Sequence, residues 1–156
     1  MTRLILLTAF VISSVCSFAQ QKPDENFKNI AFAVSKNFGS LKGAATADGF
    51  ESNIKYENAN ATTIEKDKLG KGSYLKITYF NEDAAMCQTI LNRVIPYLEF
   101  SLPMADFEKS EQPSPAFNSG KRVVYNPKSS STKYRVEMGV VKGKSGYEGV
   151  ILYFPL

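Results

Sequence analysis

The sequence contains no histidine among its 156 residues. Without imidazole, the Ser-His-Asp and Cys-His forms of nucleophilic catalysis are excluded, and so are histidine ligands to a metal. The general base that most often titrates near neutral pH is missing as well. An enzyme built on this chain would therefore have to use carboxylates, lysine or tyrosine for proton transfer.

Cysteine is nearly absent too, since the chain has only Cys16 and Cys87. Cys16 falls within a predicted signal peptide, so Cys87 has no partner for an internal disulfide. Cys87 lies between Met86 and Ile90 on the apolar stripe of a predicted helix, and no residue nearby in sequence would stabilise a thiolate. We interpret Cys87 as a buried structural cysteine.

No apolar run is long enough to span a bilayer, because the run that begins at Leu4 falls short of the roughly 20 residues required. This run follows a basic start at Arg3 and precedes Ser17-Phe18-Ala19, whose small residues suit a signal peptidase. We therefore predict a signal peptide at residues 1–19 and a mature chain without a transmembrane segment. The predicted location is the periplasm or the cell exterior.

The remaining residues, 20–156, have the length and composition of one globular domain, with 44% hydrophobic and 22% charged residues in the whole chain. Apolar residues at helical spacing predict one helix over 24–38 and another that starts at Asn81-Glu82-Asp83, with Asn81 as its cap, and kinks or ends near Pro96. A proline-rich stretch at 101–120 predicts a long exposed loop. Alternating patterns predict strands at 50–57, 62–67, 73–80, 121–126, 133–142 and 147–154.

These elements predict a single small α+β domain in the order α-βββ-α-βββ, with an antiparallel sheet of five or six strands and two helices on one face. The two halves share a weak pattern, because Tyr79-Phe80 and Tyr153-Phe154 end corresponding strands. That pattern is consistent with an ancient duplication, although hairpins that end in aromatic residues are common.

One short segment resembles known proteins. The junction Ser17-Phe18-Ala19-Gln20-Gln21 is similar to that of many exported Bacteroidetes-type proteins of unknown function, and this resemblance implies only an envelope or extracellular location. In element order the mature chain loosely resembles secretion-chaperone-like α+β folds, but it lacks their final helix. No motif matches, so the resemblance implies no site residue, cofactor or ligand.

The C-terminal segment is the basic end of a chain whose net charge is +4. Within residues 121–156 the only acidic residues are Glu137 and Glu148. An anionic partner would be attracted to this segment, and the alternative is an ordinary solvated sheet face. The residues predicted to contact such a partner are Lys121, Arg122, Lys133, Arg135, Lys142 and Lys144.

The sequence favours an exported, non-enzymatic binding or accessory module whose partner is a protein, an anionic small molecule or a glycan. Export argues against nucleic acid, and no catalytic residue, metal site or cofactor is predicted. One alternative is a carboxylate-dependent hydrolase or lyase, with Glu65, Asp67, Asp106 or Glu108 as candidates. A protein inhibitor or a secretion chaperone is a further alternative. An enzyme would bring two carboxylates, or a carboxylate and a lysine, together in a cleft.

Overall fold

The computed structural model describes residues 25–56, 58–67 and 72–156. The predicted signal peptide, residues 1–19, lies outside these ranges. The helices are α1 (Glu25–Val34) and α2 (Ala84–Ser101), and a short 3-10 helix spans Met104–Asp106. The strands are β1 (Lys42–Thr46), β2 (Gly49–Ser52), β3 (Ala61–Lys66), β4 (Ser73–Asn81), β5 (Phe107–Pro113), β6 (Lys121–Pro127), β7 (Tyr134–Lys142) and β8 (Tyr147–Pro155).

The strands form one eight-stranded antiparallel sheet in the order β1-β2-β3-β4-β8-β7-β6-β5. The α+β class fits this structure, but the predicted sheet of five or six strands and the order α-βββ-α-βββ are wrong. Each half contains one more strand than predicted, so the order is α-ββββ-α-ββββ. The two extra strands are β1 and β5, and β5 occupies part of the 101–120 segment that was predicted to be a loop.

Both missed strands lie at the edges of the sheet, which explains why their sequences give little signal. An edge strand pairs on one side only and does not need an apolar residue at every second position. Strand β5 is mostly polar and charged, and it ends at Pro113. Strand β1 is built largely of small residues. Neither sequence shows the alternation of large apolar and polar residues from which the other strands were predicted.

The two halves of the chain are arranged alike, each as a helix followed by a four-stranded meander. They join through the central pair β4 and β8, where Ile77 lies opposite Ile151. Tyr79-Phe80 and Tyr153-Phe154 follow these two isoleucines at the same spacing. The pattern seen in the sequence therefore marks equivalent positions in the two halves.

Helix α1 is shorter than the predicted 24–38, because the chain leaves the helix after Val34. Asn37 and Phe38 adopt positive φ angles of 53° and 60°. Phe38 is nevertheless fully buried, so its ring packs in the core although the residue lies in the turn after α1. Helix α2 continues through Pro96 to Ser101 and begins at Asp83, whose side chain accepts a hydrogen bond of 2.7 Å from the Ala85 amide.

Both helices contribute to one hydrophobic core on a single face of the sheet. The helix side chains Phe27, Ile30 and Leu91 pack there with Ile77 and Ile151 of the two central strands, and all five are buried. Ile90 and Val94 of α2 are partly buried against this core. The opposite sheet face has no helix over it among the described residues and carries most of the charged side chains discussed below.

Candidate functional site

The predicted contact residues on β7 and its flanks are distributed along the whole strand. Lys133 immediately precedes β7, whereas Lys142 is its last residue and Lys144 lies in the turn that follows. A nine-residue strand is roughly 30 Å long, so Lys133 and Lys142 cannot contact the same small ligand. The structure therefore separates these lysines into two ends of the sheet.

The first two residues of β6 face different partners. The Nζ atom of Lys121 lies 3.6 Å from Oε2 of Glu111 on β5, and both side chains are about two-thirds exposed. Arg122 points to the opposite sheet face, where its Nη1 atom lies 2.6 Å from Oε2 of Glu137. The Nε atom of Arg135 lies 3.0 Å from the other oxygen of the same carboxylate.

Glu137 thus holds the two predicted arginines in one cluster. Its side chain is only 3% exposed, so its charge is balanced by these guanidinium groups and not by water. Arg135 also stacks over Phe154, with 4.8 Å between the guanidinium carbon and the ring centroid. The arginines are therefore part of a structural ion network, and an external anion would have to compete with Glu137 for them.

Lys133 lies in a different environment, a cleft of about 340 Å³ between α1 and the β6–β7 connection. Helix α1 supplies Lys28 and Phe32, which share one helix face because they are spaced by four residues, and Ser35 follows directly after the helix. The described residues that line this cleft include no Asp or Glu. We call it the α1 cleft, and its lining residues are Lys28, Ala31, Phe32, Ser35, Ser101, Pro103, Ser131, Thr132, Lys133 and Tyr134.

The loop that carries Lys133 is held in place by its backbone. The Lys128 amide donates a hydrogen bond of 2.8 Å to the Asp106 carbonyl, and the Lys128 side chain donates one of 3.2 Å to the Ala105 carbonyl. At the other end of the loop, the Lys133 carbonyl accepts a 2.9 Å bond from the Leu156 amide. The main chain of the loop is thus fixed while the Lys133 side chain is exposed.

Neither lysine of the α1 cleft forms an ion pair with a described residue. Tyr134, which also lines the cleft, adds no negative charge at physiological pH. Burial of its ring and, to a smaller extent, the nearby Asp106 carboxylate raise the pKa of Tyr134 to about 12. The side chains lining the cleft are therefore cationic, neutral polar or apolar, which is the composition that an anionic group requires.

An exposed aromatic ring borders the same cleft. Phe32 is 61% exposed, which is unusual for a large apolar side chain. The ammonium group of Lys36 lies 4.5 Å from the centroid of this ring. Phe32 therefore offers an apolar surface with cations close by, where a planar or apolar part of an anionic ligand could pack.

The four carboxylates named for the enzyme alternative do not meet at one site. Glu65 lies on β3, whereas Glu108 lies on β5 at one edge of the sheet. Strands β4, β8, β7 and β6 separate β3 from β5, a distance of roughly 24 Å at 4.8 Å per strand. Asp67 follows β3 and Asp106 precedes β5, so the two candidate pairs stay apart.

Glu65 does meet a lysine, but within a row of paired charges. The Nζ atom of Lys76 lies 4.0 Å from Glu65 and 2.9 Å from Glu148, between the two carboxylates. Glu65 also accepts a 2.7 Å hydrogen bond from the Tyr74 hydroxyl. Burial, together with this hydrogen bond, raises the pKa of Tyr74. The geometry resembles a cross-strand charge ladder that stabilises the sheet.

Cys87 is fully buried, as its position on the α2 stripe predicted. Its Sγ atom lies 3.3 Å from the Tyr147 carbonyl oxygen, and no reactive partner is near it among the described residues. In the same part of the chain, no group of three or more Asp, Glu and Cys side chains is arranged to hold a metal ion. No helix in the described ranges is long and apolar enough to cross a membrane.

Sequence reasoning missed the α1 contribution to the cleft. Lys28, Phe32 and Ser35 fall on the side of the predicted helix opposite the apolar stripe, and this pattern is typical of any solvated helix face. The one feature of the sequence that could have indicated the cleft was a large aromatic residue, Phe32, on the polar side of this helix. The approach of α1 to residues 131–134 depends on the tertiary fold, and no local pattern encodes it.

Comparison with models of protein families gives no match for this chain, and comparison with curated proteins gives no significant one. The geometry alone therefore defines the class of molecule: an α+β domain with one helix-covered sheet face, one charged sheet face and a basic cleft at the end of the sheet where β7 begins.

Proposed function

We propose that this protein is an exported, non-enzymatic binding module that recognises an anionic group in the α1 cleft. The observation that carries the proposal is the convergence of Lys28 and Lys133, from distant parts of the chain, in a cleft without a lining carboxylate. The proposed location, the periplasm or the cell exterior, rests on the predicted signal peptide at residues 1–19.

The cleft provides two kinds of contact for such a ligand. The lysine ammonium groups would donate charge-assisted hydrogen bonds, which are stronger than bonds between neutral groups. The hydroxyl groups of Ser131 and Thr132 would donate further hydrogen bonds to anion oxygens, whereas the Ser35 hydroxyl already donates to the Phe32 carbonyl at 2.6 Å. Phe32 would pack against an apolar or planar part of the same ligand. These contacts suit a sulfated or carboxylated glycan or an acidic protein segment more closely than a bare ion.

The alternative of a carboxylate-dependent hydrolase or lyase receives less support from the structure. Its two pairs of candidate carboxylates lie on strands separated by four others. Glu65, the candidate that does lie close to a lysine, is held by Tyr74 and Lys76 in a charge ladder. A binding role at the α1 cleft therefore accounts for more of the observed geometry.

A pair of charge-matched variants tests this function. The probe is a sulfated disaccharide, titrated into the protein while backbone amide NMR signals and calorimetric heat are followed. We expect Lys28→Gln and Lys133→Gln each to weaken binding by about three- to tenfold, because each removes one charge-assisted contact. Added salt should weaken binding further, since it screens exposed charges.

The matched controls are Lys142→Gln and Lys144→Gln, which remove the same charge at the far end of β7. We expect these controls to change affinity by less than about twofold, because exposed charges beyond a Debye length are largely screened. Equal weakening by the controls would show nonspecific attraction to a basic protein and contradict a cleft. A second variant, Phe32→Ala, should weaken the disaccharide but leave inorganic sulfate unaffected if the ring contacts the sugar.

A further inference from the structure

Three large aromatic side chains on the two helices are turned away from the core. Phe32 of α1 is 61% exposed, and Tyr97 and Phe100 of α2 are 44% and 53% exposed. Tyr97 and Phe100 are three residues apart, so they share one face of α2. A group of exposed apolar side chains, unlike a single one, indicates a surface that contacts another molecule.

The arrangement of the helices brings these rings to one side of the molecule. Helix α1 lies toward β2 and β3, since the ring centroids of Phe27 and of Tyr56, which lies between these strands, are 4.3 Å apart. Glu99 of α2 faces the other way, toward β6, where its carboxylate accepts a hydrogen bond from Tyr125. Tyr97 precedes Glu99 by two residues, which is a rotation of about 200° on a helix, so Tyr97 lies on the flank of α2 that faces α1.

Helices α1 and α2 approach each other near the end of α2. Phe32 of α1 and Ser101, the last residue of α2, line the same cleft. Phe100 directly precedes Ser101 and is exposed on the outside of this junction. The exposed rings of Phe32 and Phe100 therefore border one continuous surface, which is the outer side of the helix layer.

The charged side chains beside these rings are cations. Lys28 lies four residues before Phe32 on α1, and Arg93 lies four residues before Tyr97 on α2, so each shares a helix face with a ring. Lys36 follows α1, and its ammonium group is 4.5 Å from the centroid of the Phe32 ring. All three cations are exposed, and none forms an ion pair with a described residue. We call this surface the helix face, and its residues are Lys28, Phe32, Lys36, Arg93, Tyr97 and Phe100.

This composition matches the surface of a membrane that contains anionic lipids. Aromatic side chains are favoured at the level of the lipid head groups, where part of the ring leaves water. Lysine and arginine near that level are attracted by anionic head groups. Glu99, the only acidic residue of α2, lies on the opposite flank, so no carboxylate of α2 repels such lipids from the helix face. A bilayer presents phosphates and apolar surface in one plane, and it needs no pocket of matching shape.

We propose that the helix face binds the surface of membranes that contain anionic lipids. The three aromatic rings enter the head-group region, the three cations bind lipid phosphates, and the charged sheet face remains in water. Membrane binding of this kind does not require a ligand in the α1 cleft. Lys28 and Phe32 belong to both surfaces, so a bound membrane would cover the cleft.

The test measures sedimentation of the predicted mature chain, residues 20–156, with lipid vesicles. This chain is used because the apolar run that begins at Leu4 would itself enter lipid. We expect binding to vesicles of equal parts phosphatidylcholine and phosphatidylglycerol to be at least about tenfold tighter than binding to phosphatidylcholine alone, since each cation is attracted to anionic lipid. Phe100→Ser should weaken binding to the mixed vesicles at least about fivefold, because the ring no longer leaves water.

Matched variants distinguish the helix face from nonspecific adsorption. Phe80 follows the core residue Tyr79 on β4 and is exposed on the opposite side of the sheet. Phe80→Ser should therefore change vesicle binding by less than about twofold. Arg93→Gln should weaken binding to the mixed vesicles about threefold, whereas Arg93→Lys keeps the charge and should change it by less than about twofold.

Neither Arg93 nor Phe100 lines the α1 cleft, so variants at these exposed positions should keep the circular dichroism of the unaltered protein and its affinity for the sulfated disaccharide. Equal binding to both kinds of vesicle would overturn the proposal, and so would equal weakening by Phe80→Ser and Phe100→Ser. Absence of vesicle binding would overturn it as well and would favour an acidic protein as the occupant of the helix face. None of these outcomes decides the function of the α1 cleft, which is tested with the disaccharide alone.

Discussion

We expect the free energy of unfolding to change little between about pH 6 and 9 and to fall steeply above pH 10. The flat region follows from the absence of histidine, the side chain that most often titrates there. The loss above pH 10 comes from buried tyrosines. Burial raises the pKa of Tyr125, helped by its hydrogen bond to Glu99, and burial with Asp106 raises the pKa of Tyr134 to about 12.

The direction follows from linkage. In the unfolded chain a tyrosine ionises near pH 10, whereas Tyr125 and Tyr134 keep their protons in the folded protein to a higher pH. Their contribution to stability is complete below pH 10 and is lost as pH rises toward the folded pKa. Ionisation of each tyrosine lowers the free energy of unfolding by at most about 1.4 kcal/mol per pH unit. The two tyrosines together would therefore lower it by up to roughly 5 kcal/mol by pH 12. This loss equals the whole stability of a marginal domain.

Tyrosinate absorbance and far-ultraviolet circular dichroism, recorded on the same samples, check this expectation. Tyr97, which is 44% exposed, provides the comparison with the buried tyrosines. Tyr125 and Tyr134 should ionise only as the secondary structure is lost. Tyr134→Phe should make stability fall less steeply above pH 10, and Tyr97→Phe should leave the slope unchanged. Ionisation of all tyrosines near pH 10 with unchanged dichroism would contradict the prediction.

The central part of the fold could be predicted because each central strand is paired along both edges and buries one face against the helices. Strands β4, β7 and β8 have apolar residues at every second position, and Ile77, Val136 and Ile151 are all fully buried. The start of helix α2 was predicted within Asn81-Glu82-Asp83, but the capping side chain is Asp83 and not the expected Asn81. In such elements, burial in the core produces an apolar periodicity that can be recognised in the sequence.

The edges and the candidate site could not be predicted in the same way. Strands β1 and β5 are paired along one side only, so propensity and pattern constrain them weakly. The strand alternation placed Arg135 correctly on the charged face, but Glu137, two residues later on that face, neutralises it. Lys133 gained a partner lysine from α1 only through tertiary packing. Charge along a sequence therefore identified the basic segment but not which of its cations are available to a ligand.

Among the charged residues of this sheet face, Glu137 should contribute most to the stability of the fold. We expect Glu137→Gln to lower the free energy of unfolding by about 2–4 kcal/mol, measured by urea denaturation at pH 7. The substitution leaves two guanidinium groups beside a neutral amide that is almost completely buried. The arginines are about one-third exposed and can partly turn toward water, so the loss should not reach the upper limit for a fully buried ion network.

Glu111→Gln is the matched control, because it removes the same charge from an exposed pair on the adjacent strands. Its effect should stay below about 0.5 kcal/mol, since both Glu111 and Lys121 are about two-thirds exposed. A Glu137→Gln variant as stable as the control would mean that the carboxylate does not hold Arg122 and Arg135. In that case both arginines would be available to an external anion, and the charged sheet face, not the α1 cleft, would become the stronger candidate for the binding surface.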